Sequence, residues 1–255
     1  MTEERPRVSV VVPTRDRPEA LRRCLAALEA QSLSVEIVIV EDGEGRGPAW
    51  ARNEGVRRAG GEVICFTDDD CAPAPGWAEA LARPILAGQE EATAGRTLMG
   101  EGATAADRAW EAIVGYLQDQ AAKPGSSSPG FAATANLACS RQLLARLPFD
   151  ESFLMAAGED RDWAERASRL GAPPALVPGA LVLHQPGLRA RDFMRQQYRY
   201  GRGAALYRRA GDNRRLGSAA FYAGLLRQGF AAGLAPGLLV CVAQAATLSG
   251  ALTAR

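Results

Sequence analysis

The chain has 255 residues and a net charge of +1, with 47% hydrophobic and 23% charged residues. That length can bury a full core, and the balanced charge without interleaved aromatics argues against a nucleic-acid partner. Five scattered cysteines (24, 65, 71, 139 and 241) lack CxxC spacing and argue against a disulfide scaffold or a zinc site. They point to a reducing compartment, and the polar start Met-Thr-Glu-Glu-Arg gives no expectation of a signal peptide.

Val8–Val12 is a β-branched apolar run closed by Pro13 and reads as a strand. Residues 17–30 read as a helix, with Pro18 in its first turn and Leu21, Leu25 and Leu28 on one face. Residues 35–40 are a second strand, ended by Glu41, Asp42 and Gly43, and residues 48–59 a second helix. Residues 63–66 are a buried third strand that stops on Asp68, Asp69 and Asp70, with Pro73, Pro75 and Gly76 beyond. Strands separated by helices predict a parallel, right-handed, doubly wound sheet with a nucleotide at the strands' carboxyl ends. Each strand delivers polar groups there: Thr14, Arg15 and Asp16, then Glu41 and Asp42, then the three aspartates. Adjacent carboxylates repel and require a compensating positive charge. Oxygen ligands suit Mg²⁺ or Mn²⁺, held together with substrate phosphates. The plain alternative, a solvated acidic turn, does not explain three strand ends that are all polar at one edge. No GxGxxG follows the first strand and no GxxxxGK[ST] occurs, which disfavours a dinucleotide fold and a P-loop.

Beyond residue 77 the pattern loosens. Residues 124–130 read as a mobile loop near the site, 134–137 as a strand and 141–147 as a helix. A further helix opens at Gly158, carries Glu159, Asp160 and Asp162 in its first turn, and closes at Gly171. Acids there also suit the helix dipole and need be no more than that. Residues 175–183 are another strand, and His184, the only histidine, follows it as either a ligand or a structural residue. Residues 229–252 carry no charge, enough length to cross a bilayer, but are interrupted by Pro236 and Gln244. They are read either as a helix packed on the domain or as a tail on a cytoplasmic leaflet, with Arg208, Arg209, Arg214, Arg215 and Arg227 facing head groups. The expected organisation is a domain over 1–210, in halves 1–100 and 101–210, and a hydrophobic helical extension over 211–255. The expected location is cytoplasmic, peripheral on or anchored to the inner face of a membrane.

Together these segments resemble the family 2 glycosyltransferases of the GT-A fold, over about residues 7–210. The first strand with Pro13, Thr14, Arg15 and Asp16 looks like that family's opening nucleotide-binding turn. Residues 37–43 look like its second strand, with Glu41 where an aspartate is usual. Ala51-Arg52-Asn53-Glu-Gly55 is similar to its Ala-Arg-Asn-x-Gly helix, and Asp68-Asp69-Asp70 to its DxD element. Asn136 and the Phe149-Asp-Glu151 segment match the stretch before the acceptor site. Gly158-Glu-Asp-Arg-Asp-Trp163 resembles Glu-Asp-x-Asp-Leu, with Trp163 in place of leucine. His184 and Tyr198-Arg-Tyr-Gly-Arg-Gly203 complete the match.

The resemblance implies a GT-A (Rossmann-like) doubly wound mixed sheet, a nucleotide-diphosphate sugar donor (UDP above all), a hydroxyl acceptor, Mn²⁺ or Mg²⁺, and inversion at the anomeric carbon. On it, Asp70 is the main metal ligand, Asp68 serves metal or ribose, Asp69 the donor sugar, and His184 is a third metal contact. Asp42 is suited to the base N–H, Arg52 to holding Asp42 or the base, and Pro13, Thr14 and Arg15 to lining the nucleotide pocket. Inversion needs a base opposite the leaving group, and Asp160 fits, with Glu159 contacting acceptor or donor sugar. Asn136, Asp162 and Trp163 fall on the acceptor side, and Tyr198, Arg199 and Arg202 are candidates for the diphosphate or an exposed basic face. No Gln-x-x-Arg-Trp follows, which favours single-sugar transfer over processive synthesis. Two other readings compete. A nucleotidyltransferase lacks its glycine-rich basic loop here, and a catalytically silent sugar-nucleotide-binding scaffold is at odds with the intact acids.

Overall fold

In a computed structural model, the described residues are 6–121, 132–155, 157–184, 187–210 (206–210 as backbone only) and 218–254. The 124–130 loop, Arg214 and Arg215, and the side chains of Arg208 and Arg209 lie outside them.

The first half follows the predicted alternation: β1 (Val8–Thr14), α1 (Pro18–Glu29), β2 (Glu36–Glu41), α2 (Pro48–Arg58) and β3 (Val63–Phe66). β1 pairs in parallel with both β2 and β3. It is buried on both faces, which is why it reads as an unbroken apolar run rather than an alternating one. Val11, Ile64 and Phe66 face one core layer with Trp163, while Val10, Val12 and Cys65 face the other with Trp77 and Leu81. Gly55 lets α2 press onto β1, because a Cβ there would sit 2.2 Å from Val11 Cγ1. That contact brings Arg52, one turn earlier, to the strand ends.

The second half runs β4 (Cys71–Pro73), α3 (Trp77–Leu86), β5 (Ala92–Met99), α4 (Ala105–Ala121), β6 (Leu137–Ser140), α5 (Arg141–Arg146), α6 (Glu159–Arg169) and β7 (Ala175–His184). Among the described residues the sheet has seven strands in the order β2-β1-β3-β6-β5-β7-β4. β6 is antiparallel to β3 and β5, β5 is parallel to β7, and β4 is antiparallel to β7 with Cys71 opposite His184. The sheet is therefore mixed, as the GT-A resemblance implies, and the purely parallel order predicted from the first strands stops at β3. The expected 134–137 strand is corrected: Thr134–Asn136 form a 3₁₀ turn, and β6 begins at Leu137. Asn136 holds that turn by accepting the Trp77 indole N–H at 2.8 Å and donating to the Arg96 and Ala180 carbonyls.

Three further helices close the chain: α7 (Ala190–Ala210), α8 (Ala219–Ala231) and α9 (Leu234–Thr253). With α4 they bury a separate apolar cluster that includes Trp110, Phe193, Leu225 and Val240.

Candidate active site

The carboxyl ends of β1 and β3 meet the start of β4 and the end of β7. Asp69 accepts hydrogen bonds from Thr14 Oγ1 at 2.8 Å and Arg17 Nη1 at 3.1 Å. The same Arg17 nitrogen reaches Asp70 Oδ2 at 2.9 Å. Asp16, at φ 54° in the left-handed region, makes the turn that precedes Arg17. On its other side Asp70 Oδ1 lies 3.2 Å from His184 Nε2, because the β4–β7 register sets the two strand ends side by side. The His184 ring packs at 4.8 Å against Trp110. Asp68 turns away to Arg52 Nη2, at 3.1 Å.

Arg52 is only 3% exposed, and its other terminal nitrogen donates to Glu159 Oε1 at 3.1 Å. One guanidinium thus joins the triple-aspartate segment to the first residue of α6. Glu159 is buried and Asp160 half-buried, with Asp160 Oδ1 accepting the Arg161 backbone N–H at 2.7 Å. Gly158, at φ 99°, begins this turn and packs on α7. A Cβ on Gly203 would lie 2.0 Å from the Ala157 carbonyl oxygen, so the turn and α7 are in backbone contact.

Five carboxylates, Asp68, Asp69, Asp70, Glu159 and Asp160, share this edge with the guanidiniums of Arg17 and Arg52. Burial raises the Glu159 carboxyl, the Asp160 charge adds to the shift, and Arg52 only partly opposes it, leaving it at about 7. Burial likewise raises Asp160 and Asp69. Burial alone would raise Asp70 too, but the His184 hydrogen bond and Arg17 outweigh it and hold that carboxyl below its usual range. The His184 imidazole is raised: burial opposes its charge, and Asp70 more than compensates.

Ligand atoms of Asp70, Cys71 and His184 lie within 4.8 Å of one another. Burial, then Asp68 and Asp70, pushes the Cys71 thiol well up, so without a metal it is a thiol and not the thiolate, and a soft sulfur is in any case a poor match to Mg²⁺ or Mn²⁺. The oxygen and nitrogen donors, one carboxylate and one imidazole, fit a divalent cation such as Mn²⁺ or Mg²⁺. His184 Nδ1 is buried with no hydrogen-bond partner among the described residues.

The other candidate residues lie as follows. Arg52 does not hold Asp42; it bonds Asp68 and Glu159. Asp42 instead accepts the backbone N–H groups of Arg46 and Gly47, each at 2.8 Å, and so shapes the loop leading into α2. Asn136 is fully buried in the fold contacts above. Trp163 is also fully buried; its indole donates to the Leu147 carbonyl and stacks on Phe149. Asp162 accepts from Arg166 within its own helix. Pro13 is half-buried at the end of β1, and Arg15 is exposed beside the 42–47 loop, where a Cβ on Gly45 would meet its guanidinium at 2.9 Å. Tyr198 shares a hydrogen bond of 2.7 Å with Thr253 on α9, while Arg199 and Arg202 are exposed on α7. The sequence reading missed Arg17, although the need for positive charge beside three aspartates pointed to a nearby arginine. It also missed Trp110 behind His184, for which no local pattern gave a signal.

Residues 43–135 match the profile of glycosyl transferase family 2. Over 225 residues the chain is 27% identical to the pre-mycofactocin glycosyltransferase of Mycobacterium tuberculosis, covering 78% of this chain and 47% of that protein. It thus spans about half the length of that curated relative. Among solved structures, the mannosyltransferase PcManGT of Pyrobaculum calidifontis, in complex with GDP-Man and Mn²⁺, superposes with a TM-score of 0.57 at 19% identity, covering 99% of this chain and 77% of that one. Glucosyl-3-phosphoglycerate synthase of Mycobacterium tuberculosis, with Mn²⁺, UDP and phosphoglyceric acid, gives a TM-score of 0.56 at 19% identity, covering 81% and 79%.

Proposed function

We propose that this chain is a family 2 glycosyltransferase that moves a single sugar from a nucleotide-diphosphate donor to a hydroxyl acceptor with inversion, a reading supported by the matched segment 43–135 and by the GT-A-like fold. The observation that carries this reading is Arg52, which bonds Asp68 on one side and Glu159, the neighbour of Asp160, on the other. One buried cation spans the two kinds of group that displacement at a sugar carbon requires.

Asp70 and His184 are the residues that would hold a divalent cation, Mn²⁺ or Mg²⁺, while Asp68 is engaged by Arg52. Such a cation, when bound, offsets the negative charge that leaves with the diphosphate. Asp69, which accepts from Thr14 and Arg17, serves the donor sugar in this reading, and Arg15 and the Asp42 loop serve the nucleotide. A UDP-sugar is the donor in this reading; UDP accompanies one structural neighbour and GDP-Man another, so both nucleotides enter the test. Asp160 takes the acceptor's proton as its oxygen attacks, and the raised carboxyl values of the Glu159–Asp160 pair suit a base working near neutral pH. Glu159 sets the position of Arg52 and of the acceptor. The protein works in the cytoplasm, with its C-terminal helices against a membrane surface.

The test is a thermal-shift screen of UDP- and GDP-sugars with and without Mn²⁺, followed by product analysis on the stabilising donor. Stabilisation by one sugar nucleotide, strengthened by Mn²⁺ and followed by sugar release or transfer, supports the reading. Binding without any turnover means a silent sugar-nucleotide receptor, and no stabilisation by any donor overturns the assignment.

A further inference from the structure

We infer that α9 lies flat on an anionic lipid surface, fixed to the domain by α7 and α8 and not crossing the bilayer. This deepens the membrane contact proposed above and is independent of the transfer chemistry.

α9 meets the length and hydropathy of a span over Leu234–Thr253. Its packing on the domain argues against crossing. A Cβ on Gly201 of α7 would lie 1.9 Å from the Thr247 carbonyl oxygen, and one on Gly250 would lie 2.0 Å from that of Tyr198. A Cβ on Gly229 of α8 would lie 2.9 Å from Val240 Cγ2. One face of α9 is thereby locked to the domain, with Val240, Ala243 and Gly250 buried. A spanning helix would have to give up all of these contacts.

The opposite face is an apolar stripe at helical spacing. Leu234 is 73% exposed and Leu252 76%, with Leu238, Val242 and Leu248 exposed between them and Phe230 of α8 beside them. Residues 229–252 contain no charged side chain. Charge complementarity names the partner. Along α7, Arg191, Arg195, Arg199 and Arg202 recur at intervals of three and four and are all exposed, and Arg227 is exposed on α8. From residue 187 to the end the sequence holds eleven arginines, no lysine, and Asp192 and Asp212 as its only acids, in a chain whose net charge is +1. An uncharged helix flanked by arginines is the pattern of an interfacial helix on anionic lipid. A nucleic acid would satisfy the arginines but not the leucines. A second copy of this chain would satisfy the leucines but set two arginine-rich surfaces against each other.

The orientation bears on the site. The turn carrying Glu159 and Asp160 rests on α7 at Gly203, and α7 rests on α9. Lipid contact through these helices holds the acceptor side of the site near the membrane surface.

Flotation of the full chain with phosphatidylcholine vesicles, with and without phosphatidylglycerol, tests the inference. Selective binding to the anionic vesicles, weakened by salt and released by alkaline carbonate, supports it. Arg191→Gln/Arg195→Gln/Arg227→Gln should weaken that binding on the order of a hundredfold. Leu238→Ser/Val242→Ser should weaken it as well, and all these substitutions lie on exposed positions that leave thermal stability unchanged. Equal binding to neutral and anionic vesicles keeps the membrane contact but overturns the anionic surface. Resistance to carbonate keeps the contact but overturns the flat helix. No vesicle binding overturns both, as does preferential binding to duplex DNA, or a dimer that the Leu238/Val242 variant dissolves. Donor stabilisation measured on the same samples reads the transfer proposal separately.

Discussion

Arg52 and Glu159, from the second and sixth helices, meet at 3.1 Å in the interior, with Glu159 at the threshold of α6. The other arm of the same guanidinium reaches Asp68 at 3.1 Å. Removing the guanidinium leaves Glu159 buried and unpaired. Arg52→Ala is expected to cost about 3–5 kcal/mol of unfolding free energy, read by urea denaturation. Arg52→Lys should recover only part of it, because a single ammonium cannot reach both carboxylates in that forked geometry. A loss below about 1 kcal/mol would mean that the pair is no more than a surface-type contact.

The Glu159–Asp160 pair sets an acid limb. Burial, helped by the Asp160 charge, lifts Glu159 from 4.5 to about 7, so transfer should fall as pH drops through about 7. Stability has the opposite slope. Between 4.5 and about 7 the folded state binds a proton that the unfolded chain releases, so stability declines as pH rises across that window. Glu159→Gln should flatten the stability slope and move the rate limb to lower pH, as Asp160 loses its like-charged neighbour. Thermal unfolding and rate profiles of the two proteins decide it, and an unmoved limb would detach Glu159 from the titration.

Asp160→Asn should lower transfer by about 10²–10⁴-fold while donor affinity stays nearly constant. Single-turnover kinetics beside donor calorimetry separates the two. A large loss of donor binding would take Asp160 out of the base role.

Asp70→Ala should abolish Mn²⁺-dependent donor binding, since it leaves His184 without its carboxylate partner. Calorimetry with the donor at several Mn²⁺ concentrations reads this directly, and an unchanged metal dependence would remove Asp70 from the ligand set.

Arg17→Ala should tighten the binding of Mn²⁺ alone severalfold. The Arg17 guanidinium bonds Asp70 at 2.9 Å and Asp69 at 3.1 Å, and a second cation at Asp70 must compete with it. Titration of Mn²⁺ without nucleotide is the measurement, and equal or weaker binding would show that Arg17 does not oppose the metal.

What could be read from the chain was uneven, for physical reasons. β1 and β3 were legible because strands buried on both faces are unbroken apolar runs, and β2, half-exposed at the sheet edge, was legible by its β-branched residues. The antiparallel half was not. β4 is three residues ending at Pro73, α3 holds Pro84 inside it, and β5 is interrupted by Gly95 with a bulge between Ala94 and Arg96. Gly95 is there because a Cβ would sit 2.1 Å from the Ala180 carbonyl oxygen, a constraint that only the folded sheet imposes. Asp70, His184, Glu159 and Asp160 were singled out by motif order as candidates, and Asp70 and His184 do lie side by side. The reach of Arg52 across to Glu159 and the cation role of Arg17 depend on tertiary placement, and motif order carries no distances.

The antiparallel register that sets Cys71 against His184 also fixes when the site can exist. During synthesis the three aspartates leave the ribosome early, with β1 to β3 already able to pair, whereas the histidine arrives on the last strand. A nascent chain ending before β7 carries the carboxylates without the imidazole, and its short β4 has no ladder to join. Completion of the Asp70–His184 pair thus waits on the last strand to join the sheet, a contact of high sequence separation.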